Sequence, residues 1–171
     1  GTVSDRTSRP IARRILTTEN GEQGFSIEYF NGFNCEGTSV ASSTKPDGRL
    51  LHFERIEGVA DTTDFSFRAK SQLTSDQDGI HTLTLIQAGK ARVMVNGETL
   101  IDGISDPIPP GEAFFGFGSE EASVPLKLNC GETVEMIVEY SSEGSVALCG
   151  VQVGLRPPEN EDILERAVAV A

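Results

Sequence analysis

The chain has 171 residues and carries 14 basic against 26 acidic side chains, a formal net charge of −12, with 37% hydrophobic residues. That length suits one domain with a buried core, and the negative charge opposes binding to nucleic acid or to an anionic membrane, both of which need a positive surface. No run approaches the roughly 18 to 20 apolar residues of a membrane span, no charged-then-apolar signal segment opens the chain, and no N-x-S/T sequon is present, so the compartment is unmarked.

From Gly1 to Gly24 the sequence is polar, and only Ile11, Ile15 and Leu16 offer anything to bury. It reads as a lead-in arm, partly helical at most, with Arg6, Arg9, Arg13 and Arg14 as a solvated basic patch. The start at Gly1 rather than methionine is what a processed or excised piece would show. Phe25 to Phe30 alternates, Phe25, Ile27 and Tyr29 on one side against Ser26, Glu28 and Phe30 on the other, which predicts a half-buried strand. Thr38 to Gly48 is rich in Ser and Thr and reads as an exposed loop; Leu50 to Ile56 is a second strand. Phe65 to Leu73 alternates again, with Ser66, Arg68 and Lys70 on a wet face.

Asp78 to Asp102 predicts a three-stranded meander: Ile80 to Ile86, Ala91 to Val95, and Glu98 to Asp102. Gln87-Ala88-Gly89-Lys90 supplies one turn, and Asn96-Gly97 is the dipeptide favoured in a type I′ hairpin. Pro107, Pro109 and Pro110 make the next stretch a loop across the end of the sheets. Strands are then expected over Ala113 to Phe117, Val124 to Leu128, Thr133 to Tyr140 and Val146 to Leu155. Short alternating strands at this spacing predict an all-β antiparallel β-sandwich. After Arg156-Pro157-Pro158 the pattern changes. Ile163, Leu164, Ala167, Val168 and Ala171 recur at helical spacing and run to the final residue without a stop signal, as in a helix continued by further chain.

Chemistry-bearing patterns are sparse. Cys35, Cys130 and Cys149 form an odd set without C-x-x-C spacing, which argues against zinc and favours free thiols. Asp76-Gln77-Asp78-Gly79 lacks the remainder of a calcium loop, and Asp102 and Asp106 read as turn-closing aspartates. Glycosidase chemistry needs two carboxylates about 5 to 9 Å apart, and nothing in the sequence selects a pair. His52 and His81 are the only histidines, no G-x-S-x-G occurs, and Gly116-Phe117-Gly118-Ser119 matches it only superficially. On chemistry alone the chain is a binding or structural module without catalytic residues, metal or cofactor.

Seven stretches carry a resemblance. FSFRAKSQLT from Phe65, Asp78 to Leu83, Gly89 to Gly97 and Leu100 to Asp102 resemble, in order, the core of the PA-fourteen module, a β-sandwich domain. Phe114 to Glu121 and Leu126 to Glu132 are similar to the version inserted into family-three glycoside hydrolases, the β-glucosidases, and the closing PPENEDILERAVAVA resembles the point where those enzymes resume their α/β domain. The resemblance implies a lead-in arm over 1–24, the sandwich over 25–156, and over 157–171 a short helix belonging to the adjoining α/β domain. It departs from the family pattern at Ala69-Lys70-Ser71, where a tryptophan and glycine are frequent. It departs again at Gln87-Ala88, where calcium-dependent sugar-binding relatives have paired aspartates.

The resemblance implies a non-catalytic accessory module of a β-glucosidase, shaping the active-site entrance and the aglycone or chain-length preference. Its partners would be the rest of that glycosidase and a carbohydrate or aglycone. A free-standing carbohydrate-binding module, lectin or adhesin, is the alternative. The aromatic and polar loop Phe30, Asn31, Phe33 and Asn34 is the expected contact with sugar.

Overall fold

The computed structural model describes residues 9–52, 56–145 and 148–158. The helix expected at the C-terminus falls, from residue 159 onward, outside them.

Eleven strands form among the described residues: β1 (Leu16–Thr17), β2 (Phe25–Asn31), β3 (Ala41–Lys45), β4 (Arg49–His52), β5 (Phe65–Thr74), β6 (Gly79–Ala88), β7 (Lys90–Val95), β8 (Glu98–Asp102), β9 (Ala122–Leu128), β10 (Thr133–Ser141) and β11 (Cys149–Arg156). They make two antiparallel sheets. One runs β3-β2-β5-β10-β7-β8, with β1 also paired to β5, and the other runs β4-β11-β6-β9. The fold is the expected all-β sandwich.

Alternation decides what enters the core. Phe25, Ile27 and Tyr29 of β2, Phe65, Phe67 and Ala69 of β5, Ala91 and Val93 of β7 and Met136, Val138 and Tyr140 of β10 are buried against Leu50, Leu83, Leu85, Val151 and Val153 of the facing sheet. Period-two spacing puts such residues on one face, and the sheets bury those faces together. Tyr29, Phe65, Phe67 and Tyr140 form one ring cluster, with Phe67 and Tyr140 stacked at 4.8 Å. The outer face of the larger sheet is polar. One register row reads Glu28, Arg68, Glu139, Arg92, Asp102 across β2, β5, β10, β7 and β8, alternating in charge at every step. Within it Arg68 donates twice to Glu139, at 2.8 and 3.0 Å.

Three expectations need correction. The three-stranded meander does not exist, because β6 lies in the smaller sheet and β7 and β8 in the larger one. Asn96-Gly97 is a hairpin turn as expected, with φ of 50° and 83°, and Asn96 Oδ1 also accepts the Glu135 N–H at 2.8 Å. Gln87 to Lys90 instead carries the chain from one sheet to the other. The Ser/Thr stretch expected as loop contains β3, an edge strand bonded to β2 on one side only; with Ser42 to Thr44 exposed, it needs no apolar alternation. Ala113 to Phe117 is not a strand but holds a 3-10 turn at Phe114–Gly116. Within the N-terminal stretch, Ile11 and Leu16, two of the three residues that offered anything to bury, lie in the core, and Leu16 pairs with Leu73.

The registers sort the loops. Asn31 pairs with Phe65, and Ser141 with both Ser66 and Lys90, so the loops after β2, before β5 and after β10 share one end of the sandwich with the Gln87 crossing. The chain enters and leaves beside itself, away from that end: Pro10 bridges Gly154, and Ile11 N–H donates to the Val153 carbonyl at 2.9 Å.

Candidate functional site

The expected sugar-contacting loop is placed at the end just described, but its rings are not at the surface. Phe30 is 3% exposed. Its ring lies on the outer sheet face under the Arg68 guanidinium, 5.7 Å from the ring centre, a cation–π contact that covers the ring. Phe33 is half-buried, while Asn31 and Asn34 are exposed. Asn31 Oδ1 accepts the Ala60 N–H at 3.3 Å, tying the loop to its neighbour.

The exposed aromatic groups are elsewhere. Phe115 is 95% and Phe117 48% exposed, two of four large hydrophobic residues open to solvent among the described residues. They sit on a closed loop whose neck is built from backbone: Pro110 bridges Ser119, Gly111 N–H donates to the Gly118 carbonyl at 3.0 Å, and Gly118 N–H to Ala113 at 2.9 Å. Phe114 is the root, half-buried against the small cluster of Leu51, Ala88 and Leu148. Gly118 is required beneath it, since a Cβ there would lie 2.7 Å from the Phe114 ring. Phe114 and Phe115 both take positive φ, 55° and 60°. A bulky residue in that region costs about 1–2 kcal/mol, and two in succession persist only where the surroundings impose them.

The turn is closed by Phe117 N–H donating to the Phe114 carbonyl at 3.1 Å, and the loop is anchored at Gln87. Ser119 N–H donates to the Gln87 carbonyl at 2.8 Å, and Gln87 N–H to Ser119 Oγ at 3.0 Å, so the loop hangs on the last turn of β6. The Gln87 side chain is buried and doubly used: Nε2 donates to the Gly103 carbonyl at 3.2 Å and Oε1 accepts the Ala91 N–H at 2.9 Å. Next to it the Tyr140 hydroxyl donates to the Ala88 carbonyl at 2.5 Å, and burial pushes the Tyr140 phenol well above its usual range. Gly89 follows with φ of 119°; a Cβ there would lie 2.5 Å from the Tyr140 hydroxyl. A neutral amide therefore occupies this corner with its polar atoms satisfied.

The other candidate groups are structural. Asp102 Oδ1 accepts the Ile104 and Ser105 N–H groups at 3.1 and 3.0 Å, and these bonds, chiefly to Ser105, hold its carboxyl below the usual range. Asp78 accepts the Cys130 N–H at 2.7 Å and Asp76 pairs with Arg14. Buried His81 has Nδ1 3.1 Å from the Gly79 carbonyl, which assigns the proton to that nitrogen, and Nε2 3.0 Å from Ser75 Oγ. The three cysteines are separate thiols. Glu121 pairs with Arg156. No group of three His, Cys, Asp or Glu side chains that could hold a metal ion occurs among the described residues.

Sequence reasoning missed Phe115 and Phe117 because a run of aromatic residues suggests a strand. The usable signal was the interleaving of Phe with Gly116 and Gly118, which allows turns rather than pleats.

Comparison with known proteins bears on this arrangement. The PA14 domain model matches residues 21–167. The chain is 29% identical over 162 residues to a β-glucosidase of Rhizobium radiobacter, covering 92% of this chain and 19% of that protein. It is 27% identical over 173 residues to β-glucosidase B of Emericella nidulans, covering 95% and 20%. A crystal structure of a β-glucosidase from Kluyveromyces marxianus has the same fold over 96% of this chain and 21% of its own, with TM-score 0.79 and 21% identity. A GH31 α-xylosidase from Xanthomonas citri shares it at TM-score 0.66 and 14% identity, over 92% and 16%. The chain thus spans about a fifth of the length of the curated relatives it matches.

Proposed function

The chain belongs to the PA14 domain family, and from that premise we propose that it is a non-catalytic accessory module of a family-three β-glucosidase, presenting the Phe115 loop at the entrance of the parent's active site. The observation that carries this reading is the pair Phe115 and Phe117, held out on a braced turn of costly backbone geometry. An apolar ring in water is of little use to the fold, and rings of this kind supply flat apolar contact to a sugar or aglycone face. Asn31 and Asn34, at the same end, add polar contacts and half-buried Phe33 an apolar one, with Phe30 holding their loop in place.

Insertion in a larger enzyme fits the path of the chain. Pro10 and Gly154 lie side by side, as the two ends of an inserted domain must. Residues 1–24 then lead in from the parent, and 157–171 return to its α/β domain. The test is hydrolysis of an aryl β-glucoside by the 171-residue chain and by the full-length protein that carries it. The reading expects no turnover by the chain and turnover by the full-length protein; activity in a clean preparation of the chain, or a full-length protein inert toward β-glucosides, contradicts it.

A further inference from the structure

We propose that the Phe115 loop selects by charge as well as by shape: through Glu112 and Glu120 it favours neutral or cationic aglycones and disfavours anionic ones. The inference rests on the reading of this loop as part of the active-site entrance and names the class of group that the entrance admits.

The loop carries charge of one sign. Residues 103–121, all of them described, include Asp106, Glu112, Glu120 and Glu121 and contain no lysine or arginine. Glu121 is paired with Arg156. Glu112 and Glu120 are exposed and pair with no cation among the described residues. The backbone places them on the two sides of the neck: Gly116 N–H donates to the Glu112 carbonyl at 3.2 Å, and Glu120 N–H donates to the Pro109 carbonyl at 2.8 Å. The surface on which Phe114 is rooted, Leu51, Ala88 and Leu148, brings no counter-charge. Neighbouring loops at this end add Glu36, Asp61 and Asp64, all exposed. Lys90, at the crossing, is engaged by Glu143 at 3.7 Å, and Phe53, Glu54 and Arg55 carry between them one charge of each sign, which leaves the sum unchanged. A neutral aryl group meets the two phenylalanine rings as apolar contact alone. A carboxylate meets the same contact together with repulsion from like charges, and an ammonium gains where the carboxylate loses. Exposed charges act through water, so the discrimination is a few-fold and falls with salt, the Debye length being about 10 Å at 0.1 M.

The experiment measures kcat/KM of the full-length protein for three aryl β-glucosides of similar shape, bearing a carboxamide, a carboxylate or an aminomethyl group on the ring, at low and at high salt. Their leaving groups differ in intrinsic reactivity, so the readout is the change in their ratios between native and variant proteins. Glu112→Gln combined with Glu120→Gln should raise the carboxylate-to-carboxamide ratio about two- to fivefold at low salt and lower the aminomethyl-to-carboxamide ratio, and both changes should shrink at high salt. Glu132→Gln, on the turn at the opposite end of the sandwich, should leave both ratios as they were. Phe115→Ala reports on the entrance separately, through the ratio of the carboxamide substrate to a small alkyl β-glucoside. If Phe115→Ala shifts that ratio while the double variant leaves the charge ratios unmoved, or moves them equally at both salt concentrations, the charge proposal alone is overturned; if neither protein shifts any ratio, the entrance reading falls with it.

Discussion

Two short stretches hold three aromatic rings each, FSIEYF at the start of β2 and FFGFG after the proline-rich loop, and their fates are opposite. In the first, Phe25, Tyr29 and Phe30 are all buried. In the second, Phe114 is half-buried, and Phe115 and Phe117 stand in solvent. Residue type does not separate them; spacing and neighbours do. Alternation with Ser, Ile and Glu lets the first stretch pleat and present one face to the core. Glycines at 116 and 118 let the second fold back on itself, and Gln87 fixes it there. The proposed contact surface rests on these two rings, held in water by a braced turn.

The comparison can be broken by substitution, and the largest effect belongs to the core. Phe25→Ala should destabilise the fold by roughly 3–5 kcal/mol, the range for a buried aromatic truncated to a methyl, read by urea denaturation. Gln87→Leu comes next. It leaves the Ala91 N–H and the Gly103 carbonyl unpaired in the interior, at a cost of about 2–3 kcal/mol, and should raise hydrogen exchange at Ser119, whose bond to the Gln87 backbone depends on that corner.

His52 sharpens the core half by pH. Its folded pKa, about 4, lies below the unfolded value near 6.5. The unfolded chain therefore binds the extra proton between these values. Stability from neutral burial of this ring is complete above about pH 6.5 and is lost as pH falls toward 4, by on the order of 2 kcal/mol. His52→Phe should flatten that part of the stability–pH curve; an unchanged slope would mean that the ring is solvated. The smallest effect is at the loop: Phe115→Ala should change stability by no more than about 0.5 kcal/mol.

Much of the sandwich was legible because strand periodicity is local. Phe25 to Phe30, Phe65 to Leu73 and Thr133 to Tyr140 each announce their own buried face, and Asn96-Gly97 announces its turn. What was not legible depends on partners distant in sequence. Gln87 to Lys90 has the composition of a hairpin turn, and only the packing of Gly89 against Tyr140 makes it a crossing between sheets. Phe30 looked like a contact residue because the Arg68 that covers it is on another strand. β3 has no apolar signal, being recruited by the free edge of β2. The exposed Phe115 followed from glycine spacing, a weaker signal than the aromatic run around it.

The central claim is that the Phe115 loop selects what lies beside the sugar. Its most direct test is the ratio of kcat/KM for a bulky aryl β-glucoside to that for a small alkyl β-glucoside, in the full-length protein, with and without Phe115→Ala. The account predicts a shift of about tenfold, equivalent to ~1.4 kcal/mol of selective contact, with the stability of the module unchanged. A ratio identical in the two proteins would contradict it.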